Sequence, residues 1–293
     1  MYKPKKNFMS YFMIMTLIIL NIILIYITKN LASYTLWTII KISLIIFDLY
    51  EIYYIIFGMT LNYEINEKSV IIKGYFGIKK ITIDFKDIIG YKVEKEIDGI
   101  KLSGVIFSDF AIGRCYIERL GTTRMYITSK DEVIYILTKE MNFAITPKEV
   151  EGFRKALENS NVKYINHDVK SSVQEVSLHK DKIFMIPLVI TSILSFIMII
   201  VPFIYYLKGG ISYTMPIGFD ARFNPTKFGT GKQFAFQQMI YGSLNLALLF
   251  CMYFASSINA KYDRKSSYKY IYIALVVAIT FTVMQFKILS LYL

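Results

Sequence analysis

The sequence predicts a membrane α-helical protein of about five spans, with a soluble strand-rich domain inserted between the second span and the third. Three observations predict it. Long intervals carry no charge: 22 residues between Lys6 and Lys29, 25 between Lys182 and Lys208, and 28 between Lys232 and Lys261. About 20 apolar residues are enough to cross ~30 Å of hydrocarbon as a helix. The composition agrees, with 55% apolar residues, 19% charged residues and a mean hydropathy of +0.43. Finally, residues 61–159 change rhythm and alternate apolar and polar side chains with the period of a strand.

Taken in order, a basic head (Lys3, Lys5, Lys6) precedes a first apolar run over 8–28. That run is too long for a signal-peptide core and no small-residue cleavage site follows, so an uncleaved span is expected. Residues 34–58 form a second span, interrupted by Lys41, Asp48 and Glu51. Residues 183–207, 234–258 and 268–289 give the third, fourth and fifth. Lys287, near the end of the fifth, is placed to snorkel to the interface.

The charge balance excludes a nucleic-acid partner. From residue 61 to 182 there are 20 Lys/Arg against 18 Asp/Glu, so only +2 of the net +12 lies there. A nucleic-acid domain would concentrate the excess on its soluble part, whereas cations flanking apolar runs set topology and meet anionic headgroups. Lys3, Lys5 and Lys6 put the N-terminus in the cytoplasm, which places 60–182 inside, 208–232 outside and 260–269 inside. Lys261, Arg264, Lys265 and Lys269 agree with that; Lys208, Arg222, Lys227 and Lys232 in the outer loop do not.

Inside the soluble segment, Leu61–Ile65 and Val70–Lys73 flank Asn66-Glu67-Lys68 as a hairpin. Ile81–Phe85, Ile89–Val93, Arg114–Glu118, Arg124–Thr128 and Val133–Leu137 continue the strand pattern. Thr146-Pro147-Lys148-Glu149 reads as a capping box opening one helix, whose buried stripe is Val150, Phe153 and Leu157. Residues 160–182 are a polar linker. A strongly bent antiparallel sheet closed by one C-terminal helix is the economical fold.

On these residues the domain resembles a bacterial pleckstrin-homology (PH) family. The resemblance rests on Ile112–Tyr116, Leu120–Tyr126 and Phe143–Pro147, where glycines punctuate a long strand connection and Thr-Pro opens the helix. It implies a PH-like β-barrel or sandwich over 61–159, capped by one helix. The outer loop resembles that of Sdp-immunity-type membrane proteins, through Pro216, Phe219, Asp220, Asn224, Pro225, Phe228, Gly229 and Lys232. Gly218 stands where that family has histidine and Thr226 where it has aspartate, so no metal or proton role carries over to those positions. This second resemblance implies self-protection against secreted toxins or membrane signalling in a bacterial plasma membrane.

Chemistry is sparse. His167 and His179 lie in the polar linker without neighbouring cysteines and fit no zinc site. Cys115 and Cys251 form no disulfide framework. Gly229-Thr230-Gly231-Lys232 lacks the earlier glycine and the following Ser/Thr of a phosphate loop. No catalytic motif is present, and no enzyme activity, metal or cofactor is expected. Asp48 and Glu51 share one helix face with Lys41 two turns below, a candidate ion path completed by Asn245 or Gln285. Packing and snorkelling explain the three more simply, because the other spans supply no second carboxylate. Lys73, Lys79, Lys80 and Lys92 are candidate headgroup contacts, although Asp84, Asp87, Glu94 and Glu96 intersperse them. The expected function is a non-enzymatic scaffold, sensor or immunity factor; its partners are the bilayer and a protein bound, or a second copy engaged, through the PH-like domain. The alternative is a transporter or ion-conducting unit using Lys41, Asp48 and Glu51.

Overall fold

The computed structural model describes residues 1–5, 8–31, 33–95, 99–107, 109–166 and 178–292. Lys6, Glu96 and His167 lie outside the described residues, as do residues 167–177 of the expected linker. The chain forms two compact units, one from Met1–Leu20 and Ile46–Gln174, the other from Asn21–Ile45 and Glu175–Leu293.

Helix α1 (Met9–Lys29) follows the first charge-free run, and α2 (Tyr34–Thr60) the second. By length and composition α1, α4 (Lys182–Leu207), α5 (Gly231–Ala260) and α6 (Arg264–Tyr292) can each cross a membrane. Unlike those four, α2 carries Lys41, Asp48 and Glu51, yet it runs unbroken for 27 residues.

The last turns of α2 lead into a three-stranded antiparallel sheet, β1 (Asn62–Ile65), β2 (Ser69–Gly74) and β3 (Lys79–Asp84). A second sheet has six strands: β4 (Ile88–Glu94), β5 (Ile100–Ile106), β6 (Ala111–Ile117), β7 (Gly121–Ile127), β8 (Val133–Thr138) and β9 (Asn142–Ile145), in the order β4-β8-β9-β7-β6-β5. Pairing is antiparallel except between β7 and β9, which run parallel. Helix α3 (Val150–Asn159) follows and buries Phe153 and Leu157, the expected stripe.

One core joins these parts. Tyr63, Val70, Ile72, Tyr91, Tyr126, Ile136 and Phe153 pack with Ile55 and Phe57 of α2 and with Met13 of α1. The basic head is part of the domain too. Tyr2 bridges Tyr63, Pro4 bridges Pro147, and the Lys5 ammonium meets Asp131 at 3.0 Å. The Tyr2 ring lies edge-on to Phe153 at 5.0 Å.

The expected capping box is not formed. Helix α3 begins at Val150 with Glu149 in the cap position and no side-chain cap. The Thr146 hydroxyl instead accepts from the Thr128 backbone N–H at 2.9 Å, because residue 146 is buried beside the sheet. Strands β5 and β9, absent from the expected set, complete the second sheet.

In the other unit α4, α5 and α6 pack on small side chains. A Cβ at Gly242 of α5 would lie 2.5 Å from an Ile199 side-chain carbon and 3.0 Å from the Ser195 carbonyl oxygen. Asp181 caps α4 by accepting from the Ile183 N–H at 3.0 Å and pairs with Arg264 at the start of α6, Nη2 to Oδ2, at 2.7 Å. The loop 208–232 is a hairpin, β10 (Thr214–Phe219) with β11 (Pro225–Thr230), running straight into the Thr230–Gln233 capping box of α5.

Candidate functional site

A cleft of about 180 Å³ opens where the end of α2 meets the two sheets. It is lined by Tyr53, Tyr54 and Phe57 of α2, Lys79 of β3, Ser103 of β5, Ile112, Gly113 and Arg114 of β6, and Arg124 and Tyr126 of β7.

The strand register builds it. Arg114 stands directly opposite Arg124 across β6 and β7, and Ile112 opposite Tyr126. Residues two apart on a strand share a face, so all four side chains project to one side of the sheet. Beside them β5 and β6 pinch together: Gly104 faces Gly113, with φ of +89° and +155°, and a Cβ on either would lie 2.2 Å from a carbonyl oxygen across the pair. Only glycine tolerates both the left-handed backbone and that approach. The pinch sits next to a register shift between Lys101 and Ser103, which sets Ser103 opposite Arg114.

The opposite wall is aromatic. Phe57 is buried over Gly74, where a Cβ would lie 2.3 Å from its ring, and its centroid is 5.7 Å from that of Tyr126. The Lys79 ammonium lies 5.0 Å from the Tyr53 ring centroid and 5.3 Å from that of Phe57, and contacts the Tyr53 hydroxyl. Such cation–π placement fixes a flexible lysine at roughly 0.5–1 kcal/mol per exposed contact. Burial raises the Tyr126 hydroxyl above its ordinary range, with Arg124 and Arg114 pulling the other way. Tyr126 is therefore a neutral donor at physiological pH. Arg114 and Arg124 are half-buried, and no carboxylate lines the cleft among the described residues.

Of the four lysines singled out from the sequence, only Lys79 lines this cleft. Lys80 is exposed; Lys73 pairs with Glu64, and the buried Lys92 pairs with Glu94. Arg114, Arg124 and the tyrosines went unnoticed in the sequence. The signal that could have found them was the hairpin across 117–121, which brings two arginines ten residues apart into register.

Lys41 is exposed with its ammonium 4.7 Å from the Trp37 ring centroid, and Asp48 and Glu51 are half-buried. The Asn245 amide donates to the Tyr241 carbonyl of its own helix, and the Gln285 amide donates to the Met198 carbonyl of α4 at 3.1 Å. Among the described residues, Gln238 Oε1, Asn245 Oδ1, Thr282 Oγ1 and Gln285 Oε1 are buried with no hydrogen-bond partner.

The singled-out residues of the 208–232 loop fold as one hairpin turn. Asp220 accepts from the backbone N–H groups of Arg222 and Asn224, both at 2.8 Å, and from the Asn224 amide at 3.0 Å. The Asn224 amide leads in holding its carboxyl below the usual range. Pro216 sits opposite Phe228, and Phe219 opposite Pro225. Phe223, at φ +68°, stacks on Phe219 at 4.5 Å and lies 4.0 Å below the Lys287 ammonium. Pro216 and Phe219 are buried and Phe228 is exposed; Gly229 packs on the Gln233 side chain, and the Lys232 ammonium lies 5.9 Å from the Phe236 ring. His179 meets Tyr253 at 3.5 Å, and no metal-holding cluster of His, Cys, Asp or Glu exists among the described residues.

Two comparisons bear on this geometry. A bacterial PH domain family model matches residues 61–161, the strand-rich domain with α3. An uncharacterised protein of Clostridium acetobutylicum is 33% identical over 287 residues, covering 98% of this chain and 97% of that one. No solved structure matches.

Proposed function

We propose a role from one premise: the chain belongs to the same family as the Clostridium acetobutylicum protein and carries a bacterial PH domain. The role is that of a non-enzymatic scaffold or sensor of the plasma membrane, with five spans and with the N-terminus and the PH-like domain in the cytoplasm. The β10–β11 hairpin meets an envelope signal or toxin on the outer side, as in Sdp-immunity-type proteins. The domain passes the signal to a protein partner or to a second copy.

One observation carries this reading. Met13, Ile55 and Phe57 of the apolar helices are buried in the same core as Tyr63, Tyr126 and Phe153 of the domain. Close-packed cores do not deform continuously, so a shift of α1 or α2 has to repack the domain. A flexible tether would not do that. The cations at Lys3, Lys5 and Lys6 and at 261–269 favour the cytoplasmic placement.

Deleting 210–232 tests the reading. The expected result is loss of any protection or stress phenotype at unchanged protein level; full protection by the deletion overturns it. A reporter fused at Lys163 is expected on the cytoplasmic side, and an outside signal overturns the orientation.

A second reading, ion conduction, draws on the orphaned oxygens of Gln238, Asn245, Thr282 and Gln285. Buried polar groups left unpaired cost about 1–3 kcal/mol each and call for an explanation. Reconstituted liposomes that show no ion flux, or the same flux with Gln285→Leu, remove it; wild-type behaviour of Asp48→Asn removes the part assigned to α2.

A further inference from the structure

We propose that the turn between β2 and β3 is a bilayer wedge: Phe76 and Ile78 insert at the boundary between headgroups and acyl chains, in the membrane that α2 crosses. The inference rests on α2 being a span, as in the five-span reading, and on no role in sensing.

Phe76 and Ile78 are 89% and 88% exposed, more than any other large apolar side chain among the described residues. The backbone that presents them is strained. Tyr75, Phe76 and Gly77 have φ of +51°, +54° and +91°, and the Ile78 N–H closes the turn on the Tyr75 carbonyl at 3.0 Å. Asn, Asp and Gly take that region readily, whereas a bulky residue there is an outlier. A residue holds such a conformation only where its surroundings compensate. Phe76, with so much of its ring exposed, gains little packing inside the domain. Transfer of that ring and of the Ile78 side chain from water into an apolar medium supplies the compensation.

The depth of the turn follows from α2. Its 27 residues are about 40 Å long at 1.5 Å each, and hydrocarbon takes about 30 Å of that. About seven residues are left over, so with Tyr34 at one face of the hydrocarbon the other face lies near Tyr53. Tyrosine is enriched at such interfaces, and α2 carries Tyr50, Tyr53 and Tyr54 there. The turn is fastened to this stretch. The Tyr75 hydroxyl donates to the Tyr53 carbonyl at 2.6 Å, and the Tyr75 N–H donates to the Thr60 hydroxyl at 2.7 Å. The Tyr75 ring lies 5.2 Å from that of Tyr53. Lys79 and Lys80 come next on the strand and are exposed. Basic residues beside an apolar anchor suit the headgroup level.

The test reads indole emission from the full chain in phosphatidylcholine vesicles whose lipids carry bromine either near the headgroup or near the chain end. The chain has one tryptophan, Trp37, and Trp37→Phe gives a silent background. In that background Phe76→Trp and Ile78→Trp report on the turn. Ile45→Trp, at an exposed position in the middle of α2, reports on the span.

The indole placed at 45 is expected to be quenched most by the chain-end bromines. Those placed at 76 and 78 are expected to be blue-shifted and quenched most by the shallow bromines, at a depth of about 5–10 Å. Phe76→Asp combined with Ile78→Trp should return emission and quenching to those of an indole in water. Quenching at 45 without quenching at 76 and 78 overturns the wedge and leaves the five-span reading standing. Absence of quenching at 45 overturns both. Blue-shifted emission at 76 and 78 that no bromine quenches marks burial against protein, such as a second copy, and overturns the wedge too.

Discussion

The two units solve the problem of burial in opposite ways. The strand-rich unit fills its core with large side chains, among them Tyr63, Tyr91, Phe57 and Phe153. Its buried hydroxyls find partners: Tyr63 donates to the Tyr126 carbonyl at 2.7 Å, and Tyr91 bonds Glu158 at 2.6 Å. The helical unit buries Phe184 and Phe234 too, but adds Ser195, Ser256, Ala274, Ala278 and Gln285 and, among the described residues, leaves several polar oxygens orphaned. Water drives the first kind of packing, because burying an aromatic ring removes much apolar surface from solvent. Helices that cross a bilayer lack that drive, and close approach over small residues takes its place. Stability is therefore expected to be concentrated in ring contacts in one unit and in backbone proximity in the other.

The sharpest way to break this contrast is Phe153→Ala. It removes a fully buried ring and is expected to cost about 3–5 kcal/mol, read by denaturant unfolding of the domain. A loss under 1 kcal/mol means that α3 contributes little to the core. Next comes Gly242→Leu, which drives a side chain into Ile199 and the Ser195 backbone. Overpacking there is expected to cost about 1–3 kcal/mol, seen as earlier thermal aggregation in detergent with the PH-like domain unaffected.

Asp181→Ala removes the α4 cap and the partner of Arg264, with an expected cost of about 1 kcal/mol. The Tyr268 hydroxyl first, and then Arg264, hold the Asp181 carboxyl below its usual range. A depressed carboxyl stabilises fully above its unfolded value near pH 4 and loses that contribution as pH falls through the folded value. The parent chain should lose stability on acidification there, and the variant should lose less. The smallest effect is expected for Lys5→Ala. Its partner Asp131 is largely exposed, and exposed pairs contribute little, so unfolding should move within error at ordinary salt.

How much of this was readable in the sequence follows from the range of the interactions. Charge-free runs placed the helices α1, α4 and α5 to within a few residues, and an apolar run bounded by lysines placed α6, because a stretch of about 20 apolar residues is a local signal. Period-two alternation found β3, β4, β6 and β7, and a short apolar run after a turn found β8. It missed β5, which holds the pinched Gly104, and β9, whose four residues pair in parallel with a strand far back in the chain. The Thr146 box failed for a tertiary reason: a hydroxyl competent to cap a helix was taken by Thr128. The cleft was legible only at Lys79. Arg114 and Arg124 look like ordinary surface charges until register sets them face to face.

The bridges from Tyr2 to Tyr63 and from Pro4 to Pro147 have a consequence of parity. They knot the first residues to the β-rich module, so both must occupy the same aqueous compartment. Were α1 to cross a bilayer, α2 would have to bring the chain back through it, three charged side chains included.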